Sequence, residues 1–200
     1  MGSARLTVVP LVREGVYLEL IALPCTADRY SMPLGVKVLG GRGFFRVYRG
    51  AGLLRALERG VECMLLLSPV DPRLFIESIL HTFEHALPWN GSPLVDERLG
   101  FWYACSSILP FSSVGDEYHY SCELRPLGGT VPVAYTRGYG CVVEALVYAT
   151  KARAGIADPR GDLLNYFVSC VRRSGDKQLA SALERALHAL LGNLLESARP

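Results

Sequence analysis

The chain is poor in amides and in lysine. Gln178 is its only glutamine, Asn90, Asn165 and Asn193 are its only asparagines, and Lys37, Lys151 and Lys177 are its only lysines among 200 residues. So few thermolabile amides point weakly to a heat-adapted source. An excess of one charge is missing as well: 21 Lys+Arg stand against 19 Asp+Glu, a net +2. Each half of the chain sums to about +1 by formal count, so there is no basic tail or acidic arm, and no nucleic-acid partner is expected. No stretch approaches the roughly 20 apolar residues of a membrane helix. The first apolar run is interrupted by Pro10 and Arg13, too early for a leader sequence. The chain therefore reads as soluble and cytoplasmic, with no membrane partner. The six cysteines, Cys25, Cys63, Cys105, Cys122, Cys141 and Cys170, never form a CxxC pair. That argues against a zinc knuckle or a dithiol redox motif. They read as small buried hydrophobes, with intracellular pairing open only to a hyperthermophilic source.

What the chain does have is apolar mass, 50% of its residues, enough for one large domain or one domain with a small helical companion. Its most informative stretch is 30–60. Met32-Pro33-Leu34-Gly35 opens a strand that runs to Leu39. Gly40-Gly41-Arg42-Gly43 reads as a hairpin turn suited to positive φ, and residues 44–49 return as a second strand. On it Phe44, Arg46 and Tyr48 share one face, and Phe45, Val47 and Arg49 the other. Gly50-Ala51-Gly52 breaks the strand, and helical spacing starts at Leu53. A strand, a glycine-rich break and a helix start make a place for a phosphate, because free N–H groups point outward there. Arg42, Arg46, Arg49, Arg55 and Arg59 stand against Glu58 alone among the acids of this stretch. The plain alternative is a hairpin followed by a solvated basic helix.

Elsewhere, residues 16–23 are apolar on both faces, as in a central strand, with Glu19 the only charge. Residues 62–68 read the same way. Asp71-Pro72 opens a helix that carries Leu74, Phe75, Ile79 and Phe83 toward Pro88. Residues 101–109 and 118–124 read as an antiparallel pair joined by a long polar connection. Beyond residue 130 the period becomes helical. Val142, Ala145, Leu146 and Ala149 share one face; Asp162 caps a helix with Leu163, Phe167, Cys170 and Val171 inward; Leu179, Leu183, Leu187, Leu190 and Leu194 line the last helix. Strands first and helices last is an α+β order.

His81-Thr82-Phe83-Glu84-His85 matches H-x-x-E-H, the inverted zinc-peptidase signature. On a helix, His81 and His85 would share a face, with Glu84 as base and Glu144 as the attractive third ligand. Pro88 stops the helix just beyond, so a coincidence near a helix end is the better reading, and no metal is expected. Glu144 sits in an apolar run, where pairing with Arg137 would satisfy it.

In their order along the chain, these landmarks resemble a known family, the archaeal flavin-binding split-barrel proteins grouped as domain-of-unknown-function family 447. Leu18-Glu19-Leu20-Ile21 stands where the family's first barrel strand begins, and Pro33-x-Gly35 stands for its Ala-Pro-x-Gly strand. Tyr48-Arg49-Gly50 stands for the strand end before the phosphate turn, and Leu67-Ser68-x-x-Asp71-Pro72-x-Leu74-Phe75 for its Asp-Pro-x-x-Phe element. Thr136-Arg137, Val143-Glu144-Ala145 and Ala149-Thr150 are similar to its C-terminal helix signature. The resemblance implies a six-stranded FMN-binding split β-barrel over 1–130 and a C-terminal helical subdomain over 131–200. It implies a homodimer with FMN near the subunit interface, and flavin-dependent oxidoreduction of an unassigned substrate. The implied cofactor contacts are Ser31, Pro33 and Gly35 toward the ring, and Arg49, Gly50, Ala51, Gly52, Leu53 and Arg55 toward the phosphate. Family members carry Ser-x-Thr and then Asn where this chain has Ala51-Gly52-Leu53 and Ala56. A cofactor-free dimeric scaffold is therefore the alternative. Phe44, Phe45 and Met64 are the expected apolar material for the dimer contact.

Overall fold

Gly40 and Gly41 take φ of 56° and 71° and form a tight turn, with Leu39 facing Arg42 across it. Arg42 and Gly43, expected in the turn, already belong to the returning strand. A computed structural model describes residues 17–26, 30–83, 95–130, 137–158, 160–173 and 177–197. In chain order its elements are β1 (Tyr17–Pro24), β2 (Met32–Leu39), β3 (Arg42–Tyr48), α1 (Gly52–Glu58), β4 (Cys63–Pro69), α2 (Arg73–Ile79), β5 (Gly100–Val114), β6 (Glu117–Gly129), α3 (Arg137–Arg153), α4 (Gly161–Arg173) and α5 (Lys177–Ser197). The six strands close an antiparallel barrel in the order β1-β2-β3-β6-β5-β4, as the α+β split-barrel expectation requires.

Side-chain alternation sorts the strands into two cores. Leu20, Leu34, Val36, Phe45, Val47, Met64 and Leu66 point into the barrel, where Leu53 and Leu54 of α1 join them. Ile21, Leu23, Leu67 and Trp102 point outward and pack with α2, α3, α4 and α5. This is why β1 and β4 are apolar on both faces. Burying each such side chain contributes about 1.5–3 kcal/mol. Phe45 and Met64, expected at a subunit contact, are 2% and 1% exposed inside the barrel, so they supply none of it.

Three other expectations change. β5 and β6 run on to Val114 and Glu117, which pair directly around Gly115, whose φ is 58°; the connection is a tight turn, not a long loop. Helix α2 stops at Ile79, although Phe83 still packs in the outer core. It starts at Arg73 with Pro72 as its N-cap, one residue later than expected, and Asp71 Oδ1 accepts the Arg73 N–H at 2.9 Å. In α4 the most buried apolar positions are Leu164 and Val168 with Cys170 and Val171, one residue on from Leu163 and Phe167. In α5 the buried stripe is Leu179, Leu183, Leu187 and Leu191, with Leu190 only partly buried.

The cysteines are not isolated hydrophobes. Cys25 pairs with Cys63, Cys105 with Cys122, and Cys141 with Cys170, with Cα–Cα separations of 5.5, 5.5 and 6.2 Å. The first ties the end of β1 to the start of β4. The second crosses β5 and β6, and the third joins α3 to α4.

Candidate functional site

The β2–β3 hairpin fixes where the expected contacts meet. Inward residues of β2 are Leu34, Val36 and Val38, so alternation turns Pro33 and Gly35 to the outer face. Ser31, just before β2, is buried at 5% exposure. Arg49 through Leu53 lie between β3 and α1. Tyr30 joins the two groups: it precedes Ser31, and its ring rests on Gly52. A residue that sequence reasoning passed over thus links the start of β2 to the start of α1, while Pro33 and Gly35 turn to the outer face.

The phosphate-side residues divide by what they can offer. Leu53 is fully buried in the barrel core, so it presents only its backbone. Ala51 N–H donates to the Tyr48 carbonyl at 3.1 Å, and Arg49 N–H donates to the Asp116 carbonyl at 2.9 Å. The Arg49 side chain does not enter the barrel. It is exposed and pairs with Asp116 at 3.1 Å; Tyr118 first and Asp116 second hold its guanidinium above its ordinary value. Other arginines of the basic stretch are engaged by β6 too. Arg42 donates to Ser121 Oγ at 3.1 Å, and Arg46 pairs with Glu117 at 3.3 Å. Arg55 is exposed on α1 and acts on Tyr30, favouring the phenol's ionised form. Burial is the larger influence there and pushes the Tyr30 hydroxyl up, against Arg55 and the N–H groups of Leu53 and Gly52.

Beside Gly35 lies Glu19, its register partner on β1. A Cβ at position 35 would stand 3.3 Å from Glu19 Oε1, so glycine gives the carboxylate room on the outer face. Burial first, and Glu144 of α3 second, push the Glu19 carboxyl up, while Lys151 pulls it down. A raised folded value means the fold favours the neutral acid. Stability is fully present below the ordinary carboxylate range and is lost as pH rises through the folded value. Glu19→Gln is therefore expected to raise Tm at neutral pH by a few degrees, with the gain vanishing in acid; a pH series of thermal melts reads it.

The zinc reading loses its geometry. His81 lies past the end of α2 with φ of 58° and its ring contacts Tyr30, so it stands on no helical face. Glu84 and His85 lie outside the described residues. Glu144, the third candidate, is exposed on α3 rather than buried among apolar neighbours. Among the described residues no three His, Cys, Asp or Glu side chains converge on a metal position.

No protein-family model matches the chain, and no curated protein matches it. Solved structures do. One is the FMN-bound protein MM1853 from Methanosarcina mazei, described with the family name DUF447. It aligns with a TM-score of 0.66 and 21% identity over 90% of this chain and 97% of that one. The styrene monooxygenase flavin reductase SMOB from Pseudomonas putida S12 aligns at 0.40 and 13% identity over 60% of this chain and 82% of that one, too slight a likeness to argue from. A closed six-stranded antiparallel barrel followed by three helices, nearly coextensive with the Methanosarcina protein, gives this chain that protein's fold.

Proposed function

We propose that this chain is an FMN-binding protein of the DUF447 kind, working as a homodimer. The observation that carries the reading is the agreement of fold with a structure described as FMN-bound, across 97% of that chain. FMN, when bound, would supply redox chemistry, and flavin-dependent oxidoreduction is the reaction class we infer. This chain's own residues would hold the cofactor. Ser31, Pro33 and Gly35 are read as facing the ring, and the backbone from Gly50 to Leu53 as facing the phosphate. The residues fit FMN with one rearrangement: the Tyr30 ring must move off Gly52.

Arg55 is the cation we assign to the phosphate, because Arg49 is already committed to Asp116. Losing a charge-assisted hydrogen bond costs roughly 1.5–3 kcal/mol, about tenfold or more in affinity. Arg55→Ala is expected to weaken FMN by that factor and riboflavin, which lacks the phosphate, much less. Arg49→Ala is expected to leave the ratio of the two affinities near that of the unaltered chain. Equal losses for both flavins in Arg55→Ala would place the phosphate elsewhere.

One observation favours the cofactor-free scaffold as a second reading. Ala51 N–H already has its acceptor in the Tyr48 carbonyl, and the Tyr30 ring covers Gly52. Titrations that detect neither flavin would select it.

The homodimer is supported by an open edge. β4 pairs with β5 only as far as Ser106. Beyond it Leu109, Phe111 and Val114 are 57%, 56% and 68% exposed, and Phe111 meets Phe44 edge-on at 5.8 Å. An apolar edge strand of this kind invites a second copy. As for compartment, three disulfides with few amides suit an intracellular protein of a hyperthermophile, and we place it in the cytoplasm on that ground.

A further inference from the structure

His119 is the middle residue of a row that crosses three strands. Its register partners are Arg46 on β3 and Ser112 on β5. The register slips between Pro110 and Ser112, so Phe111 is an extra residue in β5, a bulge of the kind that re-aims a side chain. Phe45 and Tyr120, the chain neighbours of Arg46 and His119, point into the barrel, so alternation turns Arg46 and His119 to the outer face. There Ser112 Oγ lies 2.9 Å from His119 Nδ1. The other ring nitrogen, Nε2, lies 3.4 Å from Glu117 Oε2. Arg46 holds the same carboxylate oxygen at 3.3 Å. The carboxylate selects the tautomer: with the proton on Nε2 facing Glu117, Nδ1 accepts the Ser112 hydroxyl proton. The Phe111 ring packs on the imidazole at a centroid distance of 5.8 Å. The His119 side chain is 23% exposed, while Ser112 is open to solvent.

We propose that Ser112 is a nucleophile for activated esters, with His119 as its general base and Glu117 positioning the imidazole. A serine and a carboxylate joined through the two nitrogens of one histidine can carry out acyl transfer. Ser112 Oγ forms a bond to the ester carbonyl carbon as its proton passes to His119 Nδ1, and Glu117 stabilises the imidazolium. The bond from that carbon to the leaving oxygen breaks, and the departing alcohol or phenol takes the proton. Water then attacks the acyl-serine, giving a proton to His119. The carbon–Oγ bond breaks, the carboxylic acid leaves, and Ser112 recovers its proton. Ser112 stands on an open strand face and not in a closed oxyanion hole, so the substrate is an ester with a good leaving group, which needs the least oxyanion stabilisation. Half-buried Phe44 and exposed Leu109 and Phe111 lie beside the row and suit a short apolar acyl chain. Two copies joined edge to edge along β5 extend the sheet and leave this face open. The reaction uses no flavin and goes beyond the FMN reading.

The full chain as purified, mixed with p-nitrophenyl butyrate, tests this. A burst of about one nitrophenolate per chain is expected, with a butyryl adduct located on Ser112 by peptide mass. Ser112→Ala is expected to lose both burst and adduct, and Ser113→Ala to keep them. His119→Gln is expected to slow acylation about 100-fold or more. In Glu117→Gln the rate is expected to fall about tenfold. The nitrogen chemical shifts of the His119 ring are also expected to lose their Nε2–H signature there, a change that a merely structural carboxylate would not produce. Circular dichroism confirms that each variant is folded. An adduct on another residue, an unchanged rate in His119→Gln, or no acylation of the unaltered chain overturns the proposal. An unchanged rate and ring signature in Glu117→Gln overturns the three-residue assignment. Flavin titration of the same proteins is a separate result, so failure here leaves the FMN reading standing.

Discussion

Reduction under denaturing conditions, followed by alkylation of the thiols, is expected to leave a refolded chain that melts roughly 20–40 °C below the oxidised protein. The pairs Cys25–Cys63, Cys105–Cys122 and Cys141–Cys170 span sequence separations of 38, 17 and 29 residues. In the chain-entropy account each closure restricts the unfolded state by about 3–4 kcal/mol, so the three together contribute on the order of 10 kcal/mol. A chain of this size loses about 2–4 °C for each kcal/mol. Alkylation adds bulk where Cys105 and Cys122 have no exposed surface, which deepens the effect. Replacing each pair by alanine separates the contributions, and all three variants should lose stability in either the barrel or the helical layer. Six titratable thiols in the freshly purified, denatured protein, or a Tm insensitive to reduction, would show that the cysteines stay unpaired.

The second large effect is expected at the open edge of β5. Leu109→Asp combined with Phe111→Asp should convert a dimer into a monomer at micromolar concentration by light scattering. Apolar anchors at the centre of an interface cost about 2–4 kcal/mol each when lost, and each 1.4 kcal/mol is about tenfold in affinity. Two anchors plus the like-charge repulsion between copies would raise the dissociation constant by several orders of magnitude. Both residues lie outside the barrel core, so the fold should survive, and circular dichroism checks that. If FMN is held near the subunit contact, its affinity falls with the dimer. A monomer in the unaltered chain, or a dimer unaffected by both substitutions, would rule out this edge.

How much of this was legible in the sequence follows from which interactions are local. The hairpin through Gly40-Gly41, the helix start at Asp71-Pro72 and the face of α3 carrying Val142, Ala145, Leu146 and Ala149 depend on neighbours in the chain, and all three can be read from spacing. The β5–β6 turn was missed because Gly115-Asp116 sits inside a polar run, with no apolar alternation to announce that the strands continue. The disulfides join residues tens of positions apart, and spacing alone cannot pair six cysteines. The same holds at the site. A strand, Gly50-Ala51-Gly52 and a basic helix could be read as a phosphate turn, but Arg42 and Arg46 find partners on β6 and Arg49 finds one in the turn before it, far away in sequence. Tyr30 was overlooked because its contact with Gly52 crosses the whole hairpin. The one local signal was a glycine at a helix start that no turn required.

Flavin content of the protein as purified is the most direct test of the central claim. The account predicts a yellow protein showing the two visible flavin absorption bands. On denaturation it should release a flavin identified as FMN by mass, at close to one per chain. A colourless protein that takes up neither FMN nor riboflavin on titration would contradict it and leave the barrel as a scaffold.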